Sequence, residues 1–119
     1  MVEIAIENGR LWMRVVGWHR VWALKTQLDF ALSQVREVRL DPTAAARPHG
    51  WRAPGTFVPG ILTAGTFYRK GGRDFWDVRH PERALVIELE GASFARLIVE
   101  VTDPHRTLEL ISQSRARTL

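Results

Sequence analysis

The residues best suited to chemistry gather between Arg47 and Asp77. There Trp51, Arg52, Phe57, Tyr68, Arg69, Arg73, Phe75 and Trp76 interleave aromatic rings with guanidinium groups. Rings exclude water over a large area, and guanidinium forks recognise carboxylates and phosphates. Such a mixture suits a contact surface, and Trp51, Arg52, Phe57, Arg69, Arg73 and Trp76 are its expected members. The same mixture can stack bases and neutralise phosphates. Acidic residues are interspersed, however, and the net charge is only +4, so nucleic acid is disfavoured as a partner.

Catalytic chemistry has thinner support. His19, His49, His80 and His105 lie far apart in sequence, with no second ligand at helical or hairpin spacing. A metal site needs convergent ligands with supporting hydrogen bonds. Asp74, Asp77 and Glu88 are carboxylates without a Ser-His or Cys-His pairing or a paired-acid motif, and an Asp74–Arg69 salt bridge is the expected role of the first. Gly55, Gly60 and Gly65 are not followed by the Lys-Ser/Thr of a phosphate loop. No catalytic residue, metal ligand or cofactor site is assigned, and the chain reads as a non-enzyme.

With 119 residues, the chain is expected to form one domain, residues 1–119, able to bury a core without staples. It has no cysteine, which excludes disulfides and thiolate chemistry and points to a reducing, cytoplasmic setting. No apolar run approaches the roughly 18 residues of a membrane span, and the N-terminus does not read as a signal peptide. Of the 17 basic residues only Lys25 and Lys70 are lysine. That bias fits an Arg-preferring genome, or an Arg-lined face for anionic partners.

These residues must be positioned by strands. Asn8-Gly9 is the preferred two-residue hairpin turn. Folding about it sets Ile6 against Leu11, Ile4 against Met13 and Val2 against Val15 on one face. The other face pairs Glu7 with Arg10, Glu3 with Arg14 and Ala5 with Trp12. Trp18–Lys25 has helical spacing and predicts a short turn of helix. Leu28, Phe30 and Leu32 predict a strand, and Val35–Leu40 another, with the boundary at Ser33-Gln34 and closure at Asp41-Pro42. Thr43–Ala46 can make one helical turn before Pro48 and Gly50. A Pro- and Gly-rich loop is expected to follow to Gly60, rigid across the fold, and then a strand over Ile61–Tyr68.

Gly71-Gly72 predicts a second two-residue turn, with Phe67 facing Trp76, Tyr68 facing Phe75 and Arg69 facing Asp74. Strands over Arg83–Leu89 and Phe94–Val101 follow, joined near Gly91. Asp103 is an N-cap and Pro104 the first residue of a helix whose Thr107, Leu108 and Ile111 form its apolar stripe. The tail from about 113 to 119 should fray. The expected fold is mainly β with one capping α: about seven hairpin-connected antiparallel strands, in a small barrel or orthogonal sheets, with a C-terminal helix.

Several stretches are similar to a group of small bacterial pleckstrin-homology-like proteins of unknown function. They are Val21–Lys25, Trp51–Thr56, Ala64–Phe67, Phe75–Asp77, Val86–Leu89, and Val99–Val101 followed by Asp103-Pro104. The resemblance spans nearly the whole chain and implies a pleckstrin-homology-like barrel. It implies no lipid-headgroup function, because the first turn, Glu7-Asn8-Gly9-Arg10, is short and barely basic. The functional expectation is a self-associating interaction module, a homo-oligomer or a binder of a protein partner, using Trp51–Gly60 and the Arg69/Arg73 hairpin. The alternative is a small-ligand pocket or enzyme using the same stretch, with His49, Arg52 and Asp77 as polar groups. Weak peripheral membrane binding through Arg and Trp is the third.

Overall fold

A computed structural model describes residues 2–15, 27–46, 51–58, 62–69 and 72–118. At positions 15, 46, 51–58, 62–64, 69, 117 and 118 it describes the backbone alone. The helical turn expected over Trp18–Lys25 lies outside these residues.

The first hairpin forms as its sequence dictates. β1 (Val2–Glu7) and β2 (Arg10–Val15) pair Ile6 with Leu11, Ile4 with Met13, Val2 with Val15, and Glu3 with Arg14. Asn8 and Gly9 take φ of 52° and 73°, the left-handed pair that matches the turn to the strand twist. β3 (Gln27–Ala31) joins β2 antiparallel, with Leu28 opposite Met13 and Phe30 opposite Leu11. One face of this three-stranded sheet therefore carries the buried Val2, Leu11, Met13, Leu28 and Phe30. A 3-10 turn over Leu32–Gln34 leads into β4 (Val35–Leu40). Asp41 then caps α1 (Pro42–Ala46), its Oδ1 accepting the Ala44 N–H at 3.1 Å.

The second sheet contains β4, β5 (Trp51–Val58), β6 (Leu62–Arg69), β7 (Gly72–Val78), β8 (Ala84–Leu89) and β9 (Arg96–Glu100). Its order is β4-β8-β9-β7-β6-β5. The chain is thus mainly β, in two sheets with one C-terminal helix. Three expectations are corrected. There are nine strands among the described residues, not about seven. One pair, β7 with β9, is parallel, because β9 slots between β8 and β7. Neither sheet closes on itself among the described residues.

β9 is buried on both faces, and so divides the core. Leu97 and Val99 join Phe75, Leu85, Ile87, Val35 and the inner face of the three-stranded sheet in the larger cluster. Ile98 joins Trp76, Val86, Ala84, Val78, Phe67 and Ala45 of α1 in the smaller one. α2 (Pro104–Thr118) packs on the larger cluster through Ile111 and, more shallowly, Leu108. Asp103 caps it, its Oδ1 accepting the Arg106 N–H at 3.2 Å.

The helix runs on through Thr118 instead of fraying from about 113. Ser114 is buried, and Arg115 donates to the Arg36 carbonyl at 2.8 Å, which ties its last turns to β4. No helix among the described residues is long and apolar enough to cross a membrane.

Candidate functional site

The expected loop after Pro48 is in large part strand β5. A proline is tolerated there because β5 is the last strand in the sheet order, and because the ladder shifts at Pro54. Trp51 pairs with Tyr68 and Arg52 with Phe67, but Gly55 pairs with Gly65. Ala53 and Pro54 thus share one opposing residue, a β-bulge that reverses the alternation of faces beyond it. By register, positions 52 and 57 then lie on the same face, in line with Phe67 and Val78.

The β6–β7 hairpin departs from its expected pairing by two residues. Arg69 pairs with Gly72, Tyr68 with Arg73, Phe67 with Asp74 and Gly65 with Trp76. Phe67 and Trp76 still meet, diagonally and edge to face, with ring centroids 5.9 Å apart. Trp76 is 1% exposed and is a core residue, so it drops out of the expected contact surface. Its indole N–H has no acceptor among the described residues, so it serves there through its ring.

The remaining expected members fall into two groups. Arg52 and Phe57 align with the face of the smaller core cluster. Trp51 and Arg73 flank Tyr68 in a single cross-strand row on the other face, at the end of the sheet next to the β6–β7 turn. Arg69 stands opposite Gly72 at that turn. Tyr68, at 42% exposure, is one of two large hydrophobic side chains that protrude among the described residues.

Arg73 is held from two sides. Its guanidinium lies 4.3 Å over the centroid of the Phe94 ring, and its Nε donates to the Ser93 carbonyl at 2.8 Å. Its backbone carbonyl accepts the Ala95 N–H at 2.7 Å. Tyr68, Gly72, Arg73 and the 90–95 turn line an open groove of about 560 Å³. That turn is anchored in its own right: Gln34 Nε2 donates to the Gly91 carbonyl at 2.9 Å, and the Glu90 N–H to the Gln34 carbonyl at 2.8 Å. Phe94 reads in the sequence only as the start of a strand, which begins at Arg96 instead, and nothing local ties it or Ser93 to Arg73. They lie about twenty positions from Arg73, and only the parallel β7–β9 register brings them to it.

The carboxylates considered for acid–base work are engaged structurally. Asp74, fully buried, pairs with Arg96 at 2.7 Å, a partner the Arg69 expectation did not anticipate. Glu88 binds Arg39 at 2.5 Å, and Arg39 also reaches Asp41 at 3.1 Å. Asp77 is buried at 2% exposure.

One carboxylate–histidine pair emerges that spacing did not reveal. Glu100, 1% exposed, accepts the Arg79 N–H at 2.8 Å and the His80 N–H at 3.0 Å, and meets His80 Nδ1 at 3.0 Å. Burial pushes the Glu100 carboxyl up, but the His80 side chain, the two backbone N–H donors and the His80 charge outweigh it. The net result holds Glu100 below the usual carboxylate range. It clamps the chain where it leaves β7. His105 is on the exposed side of α2, and His19 and His49 lie outside the described residues. Among the described residues no three His, Asp or Glu side chains converge as metal ligands.

What the arrangement offers is recognition: an immobilised guanidinium, an exposed phenol and an open groove. No protein-family model matches the chain, and no curated protein or solved structure matches it either.

Proposed function

We propose that the protein is a non-enzymatic protein-interaction module that self-associates through the Trp51–Tyr68–Arg73 row. The observation that supports this is the row itself. Three strands bring two aromatic residues and an arginine into register, and the central one is exposed. Aromatic and Arg residues grouped in this way dominate the binding energy of known interfaces. β5, at the end of the sheet order, adds a strand edge among the described residues, and its Pro54 bulge limits open-ended pairing along that edge. The absence of cysteine fits a cytoplasmic setting.

The pleckstrin-homology-like resemblance is part of the same proposal. The two sheets followed by a C-terminal helix support it, and the parallel β7–β9 pair departs from it.

The test is sedimentation velocity of the wild type beside Trp51→Ala and Tyr68→Ala. The wild type should sediment as an oligomer, and both variants should shift towards monomer while keeping a cooperative melt. Variants that sediment like the wild type, or that merely unfold, overturn the reading.

A further inference from the structure

Among the described residues, one edge of the Arg73 guanidinium has no acceptor. Nε is committed to the Ser93 carbonyl, and one face is covered by Phe94. Nη1 and Nη2 have no acceptor among the described residues. An arginine fixed on both its face and its Nε side has lost most of its rotamer freedom before any ligand arrives. Binding then forfeits little further entropy. The free pair of nitrogens is a planar fork that matches the two oxygens of one carboxylate. Tyr68, directly opposite Arg73 in the ladder, forms an adjoining wall.

We propose that this groove binds a side-chain carboxylate from an acidic segment of a partner protein, with Arg73 as its bidentate receptor. This rests on the interaction-module reading and names the chemistry of the partner. A carboxylate fits better than a phosphate because, among the described residues, the groove is lined by one arginine together with Glu90. Phosphate groups are held by clusters of cations, whereas a single fork satisfies a single carboxylate. The long-range field agrees, since a chain of net charge +4 attracts acidic segments.

The probe is a tetramethylrhodamine-labelled hexaglutamate peptide amidated at its C-terminus, so that every carboxylate of the peptide itself is a side chain; the unlabelled peptide should compete with it. Fluorescence anisotropy at low salt reads its binding to the full chain. The wild type should bind it saturably, Arg73→Lys should weaken binding about tenfold although the charge is kept, and Arg36→Lys on β4 should leave it unchanged. Glutarate should displace the peptide at lower concentration than inorganic phosphate. Amide resonances of Gly91, Ser93 and Phe94 in the wild type should shift with saturation, a readout that stands even if Arg73→Lys folds poorly.

Equal affinity for Arg73→Lys and wild type, stronger displacement by phosphate, or unshifted amides at Gly91, Ser93 and Phe94 would each overturn the assignment. Sedimentation of the same samples separates the two readings. If Trp51→Ala dissociates an assembly that ignores the peptide, only the carboxylate site falls. If a monomeric wild type binds the peptide through Arg73, self-association falls and the site stands.

Discussion

The β1–β2 and β6–β7 hairpins begin from similar turn signals and end differently. Asn8-Gly9 sets the first, and the observed pairs are those its sequence implies. Gly71-Gly72 implies a second turn of the same length, but the strands pair two residues away, with Arg69 opposite Gly72. The two cases differ in what a slip would change. In the first hairpin, apolar residues line one face and opposite charges meet on the other, so its pattern and its turn agree on one register. In the second, a slip of two residues leaves every side chain on its own face, because the strand period is two. Face patterning is blind to that slip. What the second hairpin has and the first lacks is an anchor from elsewhere in the chain, on the far side of β7: Arg96 meets Asp74, Ala95 meets Gly72 and Arg73, and Glu100 fastens Arg79 and His80.

Removing what β9 supplies should therefore damage the second hairpin far more than an equivalent change damages the first. The largest effect is expected from Asp74→Ala. It strands Arg96, whose side chain is 16% exposed, and should destabilise the protein by about 3 kcal/mol in urea denaturation. Glu3→Ala, which breaks the exposed Glu3–Arg14 pair of the first hairpin, should cost under about 1 kcal/mol. Similar losses for the two would remove the distinction between a self-contained hairpin and one anchored by its neighbour.

Glycine substitutions give a second, smaller contrast. Gly9 and Gly72 both have positive φ, so alanine is strained at either site. A Cβ on Gly9 meets nothing within 4 Å, whereas one on Gly72 would lie 2.9 Å from the Ala95 Cβ. Gly9→Ala should cost about 1 kcal/mol, and Gly72→Ala about 2–3 kcal/mol because the clash with the 90–95 turn adds to the strain. Thermal melts of the two variants decide the order.

The mildest perturbation is acid. Because the folded state holds Glu100 below its ordinary range, the stability this contributes is present above the unfolded pKa of about 4.3. It is lost as pH falls through the lower, folded value. Melting temperature should therefore drop more steeply for wild type than for Glu100→Gln between about pH 5 and pH 2. Parallel curves would show that Glu100 is not a significant acid-sensitive clamp on the end of β7.

The proposed interaction surface is only partly legible in the sequence. Arg73 and Trp51 fall in one row, as a contact surface needs, but Trp76 is core. Its sequence neighbours Phe75 and Asp77 are buried as well, because β7 is covered on both faces and alternation carries no exposure signal there. β5 reads as loop in the sequence for a sound local reason, its prolines and glycines. A bulged strand at the end of a sheet is the one strand setting that accepts them. Phe94 and Ser93, which hold Arg73, were invisible for want of any local relation to it.

Local chemistry alone determined the Asn8-Gly9 hairpin, the break at Ser33-Gln34 and the Asp103-Pro104 helix start, since the interacting groups lie within a few residues of one another. Only the tertiary structure decided the parallel β7–β9 pair, the two-residue offset of β6 against β7, and the clamp that turns Arg73 into a rigid fork. The first and the last depend on which distant strand arrives beside β7, and the offset leaves every face unchanged, so alternation does not record it. Periodicity records the face of a strand but not its neighbour.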